Sequence, residues 1–426
     1  MKPSLLKKSV LFSLVILASV LNANAQVSQT VSISPGYTNR TFYQMNSGTV
    51  STVSNTNWDL GFQLRGRAGA IIINSKNNVK LWNANKSVAD WSTMTVSDTT
   101  GLLIPTNEFH NSEETWNVGA FNTTNDPANL FDLGWGLYDQ ATHLITGDSV
   151  YFISLSNSTI FKKLKIEKLD GYTYDYTFRF ADLDGSNEVV DTVLKSAFPS
   201  KFFAYFSIVN NVAIDREPVY NAWDLSFESY KSANVIPGSY YSVAGVLSND
   251  SVFVAKAYPV DTALTNVGGL LYSNKMNAIG FNWKFYDQPN NLWVIADSTI
   301  YFVKDRSNVT WKVVFTGFGG GANGEFYFNQ SPVNSVGIIE NSSIQTLGVY
   351  PNPAHDKIRI MVDSKTQGFT SVSIYDISGR SIQQNQILLN GGLQAVDLNL
   401  QGFNPGIYQV VLVQGSDRQV TRISIQ

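Results

Sequence analysis

Much of protein chemistry depends on imidazole, thiolate and paired carboxylate groups. This chain has few imidazole groups and no thiolate. Its 426 residues contain three histidines, at positions 110, 143 and 355, and no cysteine. A Ser-His-Asp triad needs a histidine oriented by an acid, and the chain has no Gly-x-Ser-x-Gly elbow. No histidine or acidic cluster has the spacing of a transition-metal site. We predict no catalytic residue, no metal site and no enzymatic activity, although 33 acidic residues leave a glycosidase-like carboxylate pair open.

A Tyr-Asp-Gln triplet occurs twice, each time shortly after a tryptophan. Because such a triplet can hydrogen-bond a ligand, we take both copies as candidate ligand-binding residues. Asp-Gln at the end of a strand also forms an ordinary turn, and that interpretation stays open. The candidate residues are Tyr138, Asp139, Gln140, Tyr286, Asp287 and Gln288.

The triplets belong to a tandem duplication whose landmarks recur in one order. Residues 57–62, which contain Trp-Asp-Leu, recur as 222–227, residues 134–140 as 282–288, and residues 148–152 as 297–302.

Such self-similarity predicts repeat one at 26–187, repeat two at 188–331 and a polar linker at 332–346. In each Trp-Asp pair we expect the tryptophan in the core and the aspartate in a local pair or cap. Repeat one has additional residues near 75–130, which we interpret as a longer loop or added hairpin, where sites usually lie.

The composition favours strands. Aromatic residues make up 13% of the chain, with 25 Phe, 20 Tyr and 9 Trp, and no long segment has helical periodicity. Charged residues are 15% and the net charge is −3, so no basic surface for nucleic acid is indicated. We predict an all-β fold: two tandem antiparallel β domains followed by a small immunoglobulin-like β-sandwich.

Residues 1–25 have the pattern of a secretory signal peptide. Three early lysines precede an apolar run at 10–21, and Ala-Asn-Ala at 23–25 predicts cleavage between Ala25 and Gln26. The apolar run is shorter than the about 20 residues that a membrane helix needs. No later stretch is longer and apolar, so we expect no transmembrane segment.

Residues 347–426 combine alternating strand patterns with three motifs: Tyr-Pro-Asn-Pro-Ala at 350–354, Asp-x-x-Gly-Arg at 376–380 and Pro-Gly-x-Tyr at 405–408. In this order they resemble the type A C-terminal sorting domain of the Bacteroidetes type IX secretion system. The resemblance implies export to the periplasm and recognition by the type IX translocon and sorting machinery. It also implies a final location that is either secreted or attached to the outer-membrane surface.

The landmark order of both repeats resembles the HmuY-like family of secreted β-rich proteins from Bacteroidetes. An aromatic strand, Trp-Asp-Leu, a second tryptophan strand, an aromatic pair and a lysine-bearing strand follow one another. The resemblance implies an antiparallel β fold and, in haem-binding members, a haem held by two side chains. Those members place one ligand histidine a few residues after the second tryptophan, where this chain has Gln140 and Gln288.

Histidine is one of the side chains that ligate haem iron. His143 lies three residues beyond Gln140, and His110 lies in the additional segment of repeat one, so these two are the candidate haem ligands. Repeat two has no histidine, which leaves repeat one as the candidate haem domain. The alternative interpretation is that both are ordinary loop histidines.

We therefore predict a secreted or surface-attached, non-enzymatic binding protein that takes haem or another porphyrin. One alternative is a surface adhesin or glycan-binding protein that uses exposed tryptophan and tyrosine rings. Another is a structural stalk without a small ligand. Calcium at the acidic turn 182–185 stays open, although that turn lacks the ligand spacing of an EF-hand.

Overall fold

The chain folds into short antiparallel strands in each of two compact units. The structure is a computed structural model that describes residues 26–156, 161–260, 270–333, 344–377, 379–415 and 417–426. Unit one comprises residues up to 333, and unit two comprises those from 334 onward. The predicted signal peptide and most of the predicted linker lie outside the described residues. Strands account for 52% and helices for 8%, so the predicted all-β fold is confirmed.

The strands of unit one are β1 (Val27–Ser32), β2 (Asn39–Gln44), β3 (Gly48–Ser54), β4 (Leu60–Gln63), β5 (Ile71–Ile73), β6 (Lys80–Ser87), β7 (Gly136–Tyr138), β8 (Leu144–Gly147), β9 (Ser149–Ser154), β10 (Phe161–Asp170), β11 (Tyr176–Asp182), β12 (Val189–Val193), β13 (Phe203–Ser207), β14 (Val212–Ile214), β15 (Leu225–Ile236), β16 (Ser239–Ser248), β17 (Phe253–Ala257), β18 (Lys284–Asp287), β19 (Leu292–Ile295), β20 (Ile300–Lys304), β21 (Thr310–Phe318) and β22 (Glu325–Pro332). One helical turn, α1, spans Gly320–Asn323. Short 3₁₀ turns lie at Pro35–Tyr37, Ser75–Asn77, Val88–Ser92, Val96–Thr99, Pro105–Asn107, Ala120–Asn122 and Lys195–Ala197. Among the residues described, no helix combines the length and the apolar character that crossing a membrane requires.

These strands form several antiparallel sheets. The strand orders are β1-β22-β21-β20-β17, then β14-β13-β4-β5, then β16-β15-β2-β3, the hairpin β18-β19, and β12-β11-β10-β8-β7 with β9 joining β10 to β6.

The two predicted repeats exchange strands. β2, from the start of repeat one, pairs with β15 of repeat two, and Tyr43 lies opposite Leu225. β13, from repeat two, pairs with β4 of repeat one, and Phe206 lies opposite Leu60. The first strand, β1, lies beside β22 at the end of unit one. The predicted division after residue 187 therefore marks a sequence repeat, and strand pairing crosses it in both directions.

Equivalent aspartates secure the exchanged strands. A carboxylate oxygen of Asp59 accepts a hydrogen bond from the backbone N–H of Ile208 at 2.7 Å, directly after β13. A carboxylate oxygen of Asp224 accepts one from the N–H of Met45 at 2.8 Å, directly after β2. The preceding tryptophans are buried, as the alternation predicted. Each aspartate thus caps a strand of the other repeat and not a neighbour in sequence.

Apolar side chains form two large cores in unit one, with a smaller cluster between them. One core surrounds Trp135, and the other surrounds Trp283. The cluster between them joins rings from both repeats, including Phe42, Phe203 and Trp223. Packing between the repeats is therefore continuous.

Unit two is a two-layer β-sandwich. Its strands are β23 (Ile344–Tyr350), β24 (Lys357–Ser364), β25 (Gly368–Asp376), β26 (Ser381–Leu389), β27 (Gly392–Asn399), β28 (Gly406–Gln414) and β29 (Asp417–Ile425). They form the sheets β23-β24-β27 and β26-β25-β28-β29. Alternate residues of the two sheets share one core, with Ile360 from the first sheet and Val410 from the second.

Candidate functional site

The first Tyr-Asp-Gln triplet borders a cavity of about 440 Å³, which we call the Tyr138 pocket. The end of β7, the start of β8, the end of β10 and the loop between β4 and β5 surround it. Its lining residues are Gln63, Gly66, Arg67, Gly69, Leu130, Phe131, Leu133, Tyr138, His143, Ile145, Leu169, Gly171, Tyr174 and Tyr176.

A tight turn brings Tyr138 and His143 together. The Asp139 carboxylate accepts hydrogen bonds from the N–H groups of Ala141 at 2.7 Å and Thr142 at 3.1 Å. The bond from Ala141 is the main cause that lowers the pKa of Asp139. Both Asp139 and Gln140 point into solvent and do not line the pocket, so they form the turn.

His143 has a fixed position at the pocket wall. It adopts a φ of 59°, in the left-handed region that side chains other than glycine seldom occupy. Its Nδ1 shares a hydrogen bond of 2.6 Å with the Tyr138 hydroxyl, and its backbone carbonyl accepts one from the N–H of Gly171. A Cβ at Gly171 would lie 2.3 Å from that carbonyl oxygen, so only glycine fits there. With Nδ1 engaged, Nε2 is the ring nitrogen that can face a ligand.

Aromatic rings and one lining cation, Arg67, complete the pocket. Phe131 stacks on Tyr138, with ring centroids 6.0 Å apart. The ring of Tyr174 lies 4.0 Å below the Lys195 ammonium. The Arg67 side chain is exposed at the rim. A pocket of this kind can hold a flat ring through stacking and an acidic substituent through the guanidinium.

The second triplet forms an exposed hairpin instead. The Tyr286 hydroxyl donates a hydrogen bond to the side-chain oxygen of Asn291, and its ring meets the edge of Trp293. The Asp287 carboxylate accepts a hydrogen bond of 2.8 Å from the Asn290 amide, and Gln288 is exposed. Both triplets therefore make turns, and the first one also presents a tyrosine to a histidine.

His110 lies elsewhere in unit one. Its ring stacks on Tyr240 of repeat two, with the ring centroids 3.6 Å apart. Burial, together with the positive charges of Lys231 and Lys80, lowers the pKa of His110 to about 4. The ring is therefore neutral at pH 7 and packs as an aromatic side chain. The third histidine, His355, is exposed in unit two.

The two candidate haem ligands are not brought together. His110 follows Phe109, which bridges Leu81, and Leu81 lies opposite Ile153 near the end of β9. His143 directly precedes β8, and β8 and β9 follow one another along the same edge of β10. From position 143 to position 153 the extended chain covers about 30 Å. Two axial ligands must flank one iron atom, so this pair does not fit a shared haem.

The additional segment of repeat one, in which we expected a site, connects the two repeats. Glu114 forms an ion pair with Lys275 at 2.7 Å, and its carbonyl accepts a hydrogen bond from the N–H of Met276. The Trp116 indole N–H donates to the carbonyl of Ser248 at 2.8 Å. These contacts position the segment against the end of β16 and the loop that precedes β18, and sequence spacing gives no sign of them.

Several pocket residues were missed by the sequence analysis. Arg67 lies in an Arg-Gly-Arg-Ala-Gly stretch, whose glycines and cations could have marked a ligand loop. Tyr174 lies just before β11, in a run of alternating aromatic residues that gives no sign of a site. Within the described residues, no group of three or more histidine and acidic side chains could hold a metal ion. At the acidic turn, Asp182 binds Lys162 at 2.6 Å, and Asp184 binds Ser186.

Comparisons with known proteins identify unit two. Residues 348–426 match the model of the secretion system C-terminal sorting domain. No curated protein matches the chain significantly. Among solved structures, the chain is similar to dimeric latent PorU from Porphyromonas gingivalis, with 8% identity over 66% of this chain and 26% of that chain, and a TM-score of 0.18. The chain thus spans about a quarter of that protein's length.

It is also similar to the BSP domain of a biofilm associated protein, with 11% identity over 93% of this chain and 81% of that chain, and a TM-score of 0.17. At these scores neither structural likeness carries an argument about unit one. The match to the sorting domain is informative, because it indicates the export route. The chain therefore carries a type IX secretion sorting domain at residues 348–426, which marks it as a substrate of that system, exported through the periplasm and then secreted or attached to the cell surface.

Proposed function

We propose that unit one is a non-enzymatic, HmuY-like binding protein that takes haem or a related porphyrin in the Tyr138 pocket. The observation that carries the proposal is the contact between His143 and Tyr138 at the wall of a cavity of about 440 Å³. The export route supports it, because a binding protein outside the cell needs no cofactor regeneration or cellular partner for its chemistry.

In this proposal haem is held through one histidine, and not through the predicted histidine pair. His143 Nε2 would be the protein ligand to iron, and Nδ1–H would then donate its hydrogen bond to the Tyr138 hydroxyl oxygen and so orient the ring, as metal-bound histidines do toward their outer-shell partners. Arg67 would bind a propionate carboxylate at the rim. Phe131, Tyr138 and Tyr174 would supply the apolar contacts of the macrocycle.

A haemin titration of the purified chain tests this proposal. Wild type should give a saturable shift of the Soret band, and His143→Ala should abolish it. Tyr138→Phe should weaken binding by about 10-fold, because loss of an outer-shell hydrogen bond usually costs that much.

Two matched variants serve as controls. His110→Ala removes a histidine that does not line the pocket, and Tyr286→Phe removes the equivalent hydroxyl in repeat two. Both should bind haemin like wild type. Equal binding by wild type and His143→Ala would rule out the pocket as the haem site.

A glycan is the second candidate ligand, and the exposure of one ring favours it. Tyr172 is 73% exposed and its ring lies 4.7 Å from that of His143, beside the pocket mouth. An exposed ring next to hydrogen-bonding groups is the usual platform for a sugar. Glycan-array binding that Tyr172→Ala abolishes, together with no Soret shift, would support a surface adhesin. Failure of both assays would leave the structural stalk.

A further inference from the structure

A second cavity lies between the two repeats, apart from the Tyr138 pocket. It measures about 60 Å³ and is lined by side chains of both repeats, among them Arg40, Trp58, Lys76, Tyr230 and Lys231. We call it the junction cavity. A space of this size holds about four water molecules or one small ion.

Three buried polar groups in the lining have no hydrogen-bond partner among the described residues. They are the Trp58 indole N–H, the Ser229 hydroxyl and the Tyr230 hydroxyl. The three residues are 7%, 3% and 9% exposed, so bulk water does not satisfy them. Leaving such a group unpaired costs about 1–3 kcal/mol. All three groups can donate a hydrogen bond, and the indole can only donate. A ligand that satisfies them must therefore carry hydrogen-bond acceptors.

The charges of the lining favour an anion. Its charged residues are three cations, Arg40, Lys76 and Lys231, and one carboxylate, Glu228. The carboxylate is already neutralised, since Arg40 lies 3.0 Å from Glu228 and the Ser226 hydroxyl donates to it at 2.8 Å.

The lysines keep hydrogen-bonding capacity. Lys76 donates one hydrogen bond to the carbonyl of Gly36 at 3.0 Å and has two further protons. Burial and the nearby positive charge of Lys231 lower the pKa of Lys76, so the two cations lie close enough to interact. Of the acidic residues nearby, Glu108 lies 3.6 Å from Lys80, and one oxygen of Glu113 accepts a hydrogen bond from Asn234 while its other oxygen has no partner among the described residues.

We propose that the junction cavity binds a small oxyanion of the phosphate or sulfate class. Such an ion presents acceptors in several directions, which suits a lining whose donor-bearing residues come from β15, from the Trp-Asp-Leu landmark of repeat one and from the two lysines. Because these residues come from both repeats, a bound anion would also link the repeats. The proposal is independent of the haem site.

Calorimetric titration of the purified full chain with sodium phosphate and with sodium sulfate tests the proposal. Wild type should bind one of them at a single saturable site, and sodium chloride at equal ionic strength should not reproduce the signal. Lys231→Gln should weaken binding by about 10-fold or more, since a hydrogen bond to a charged group is lost. Tyr230→Phe, which removes only a hydroxyl, should weaken it by about 5-fold.

Lys168→Gln, which removes an exposed lysine on β10, is the matched control and should bind like wild type. Unchanged circular dichroism of each variant will show that folding is intact. Absence of binding by wild type, or equal binding by all variants, would overturn the proposal and mean that the cavity holds water only. Haemin binding at the Tyr138 pocket should persist in Lys231→Gln, so failure at one site is distinguishable from failure at the other.

Discussion

The two halves of unit one place the same landmark in different surroundings. Trp135 and Trp283 are both fully buried, and each is followed by a Tyr-Asp-Gln turn. After the tryptophan, however, repeat one has Gly136 and repeat two has Lys284. A Cβ at Gly136 would lie 2.4 Å from the carbonyl oxygen of Thr146, so β7 and β8 can approach closely only because that residue is glycine.

In repeat two the lysine turns inward. Its ammonium donates a hydrogen bond to the carbonyl of Ala244 at 2.6 Å and lies 4.2 Å from the Trp283 ring and 4.3 Å from the Phe318 ring. Trp293 packs against the same Phe318 ring, with centroids 5.1 Å apart. The repeated motif thus specifies a buried tryptophan and a turn, while residues outside the motif decide whether the space beside them is a ligand pocket or packed core.

Replacing each of the two tryptophans by alanine should give the largest difference in stability between the repeats. Trp283 stacks on Phe315 at 3.9 Å and meets the edge of Phe318, whereas the ring of Trp135 lies 6.4 Å from that of Tyr176. Each change to alanine should cost about 3–5 kcal/mol of unfolding free energy. Trp283→Ala should cost about 1 kcal/mol more, because it loses the closer ring pairs. Denaturant unfolding measures both, and an equal or reversed order would contradict the packing difference.

The contrast also shows what sequence could predict. Alternation and aromatic content gave the all-β fold, and the order of three motifs gave the sorting domain. Periodicity identifies a strand and its buried face, but it does not name the partner strand. The pairing of Tyr43 with Leu225 joins residues far apart in sequence, and no local pattern encodes it.

The same limit applies to the site. Tyr138 and His143 lie close in sequence, so a turn could be expected to bring them together. Arg67 reaches the pocket from the loop between β4 and β5, and Tyr174 from the turn between β10 and β11, and only the fold reveals them. His110 was assigned to the same site because it has the right chemistry, yet strand register places it about 30 Å of extended chain away. The residue type suggested haem as the ligand, but the distance between the two histidines excludes them as a pair of axial ligands.

Lys284 should make the stability of unit one increase with pH in the alkaline range. Burial lowers the pKa of Lys284 from 10.5 to about 7, so between those values the unfolded chain binds a proton that the folded chain does not. Unfolding free energy should therefore rise with pH above 7, by about 2–3 kcal/mol at pH 9, and this gain is absent below pH 7. Lys284→Met should remove that rise when denaturant unfolding is measured at each pH.

Lys168→Met, which replaces an exposed lysine, controls for other groups that titrate in this range and should keep the wild-type rise. Repeat one has glycine at the equivalent position and therefore contributes no such pH dependence of stability. A wild-type pH dependence that survives in Lys284→Met would show that the buried ammonium is not its source.

Substitution of the aspartates that cap the exchanged strands should give a smaller difference in stability between the repeats. Here the residue of repeat one should contribute more than its counterpart in repeat two. Asp59 accepts hydrogen bonds from the N–H groups of Ile208 at 2.7 Å and Val209 at 3.4 Å, whereas Asp224 accepts one from Met45. Asp59→Ala should therefore cost about 2 kcal/mol of unfolding free energy and Asp224→Ala about 1 kcal/mol, since each unpaired buried N–H carries its own penalty.

The asparagine variants separate the hydrogen bond from the charge. Burial raises the pKa of both aspartates, so the fold favours a neutral acceptor over a buried negative charge. Asparagine keeps one acceptor oxygen and has no charge, and Asp59→Asn should therefore recover most of the stability that Asp59→Ala loses. If asparagine is as destabilising as alanine at both positions, then the carboxylate charge, and not the backbone hydrogen bond, holds each strand in the opposite repeat.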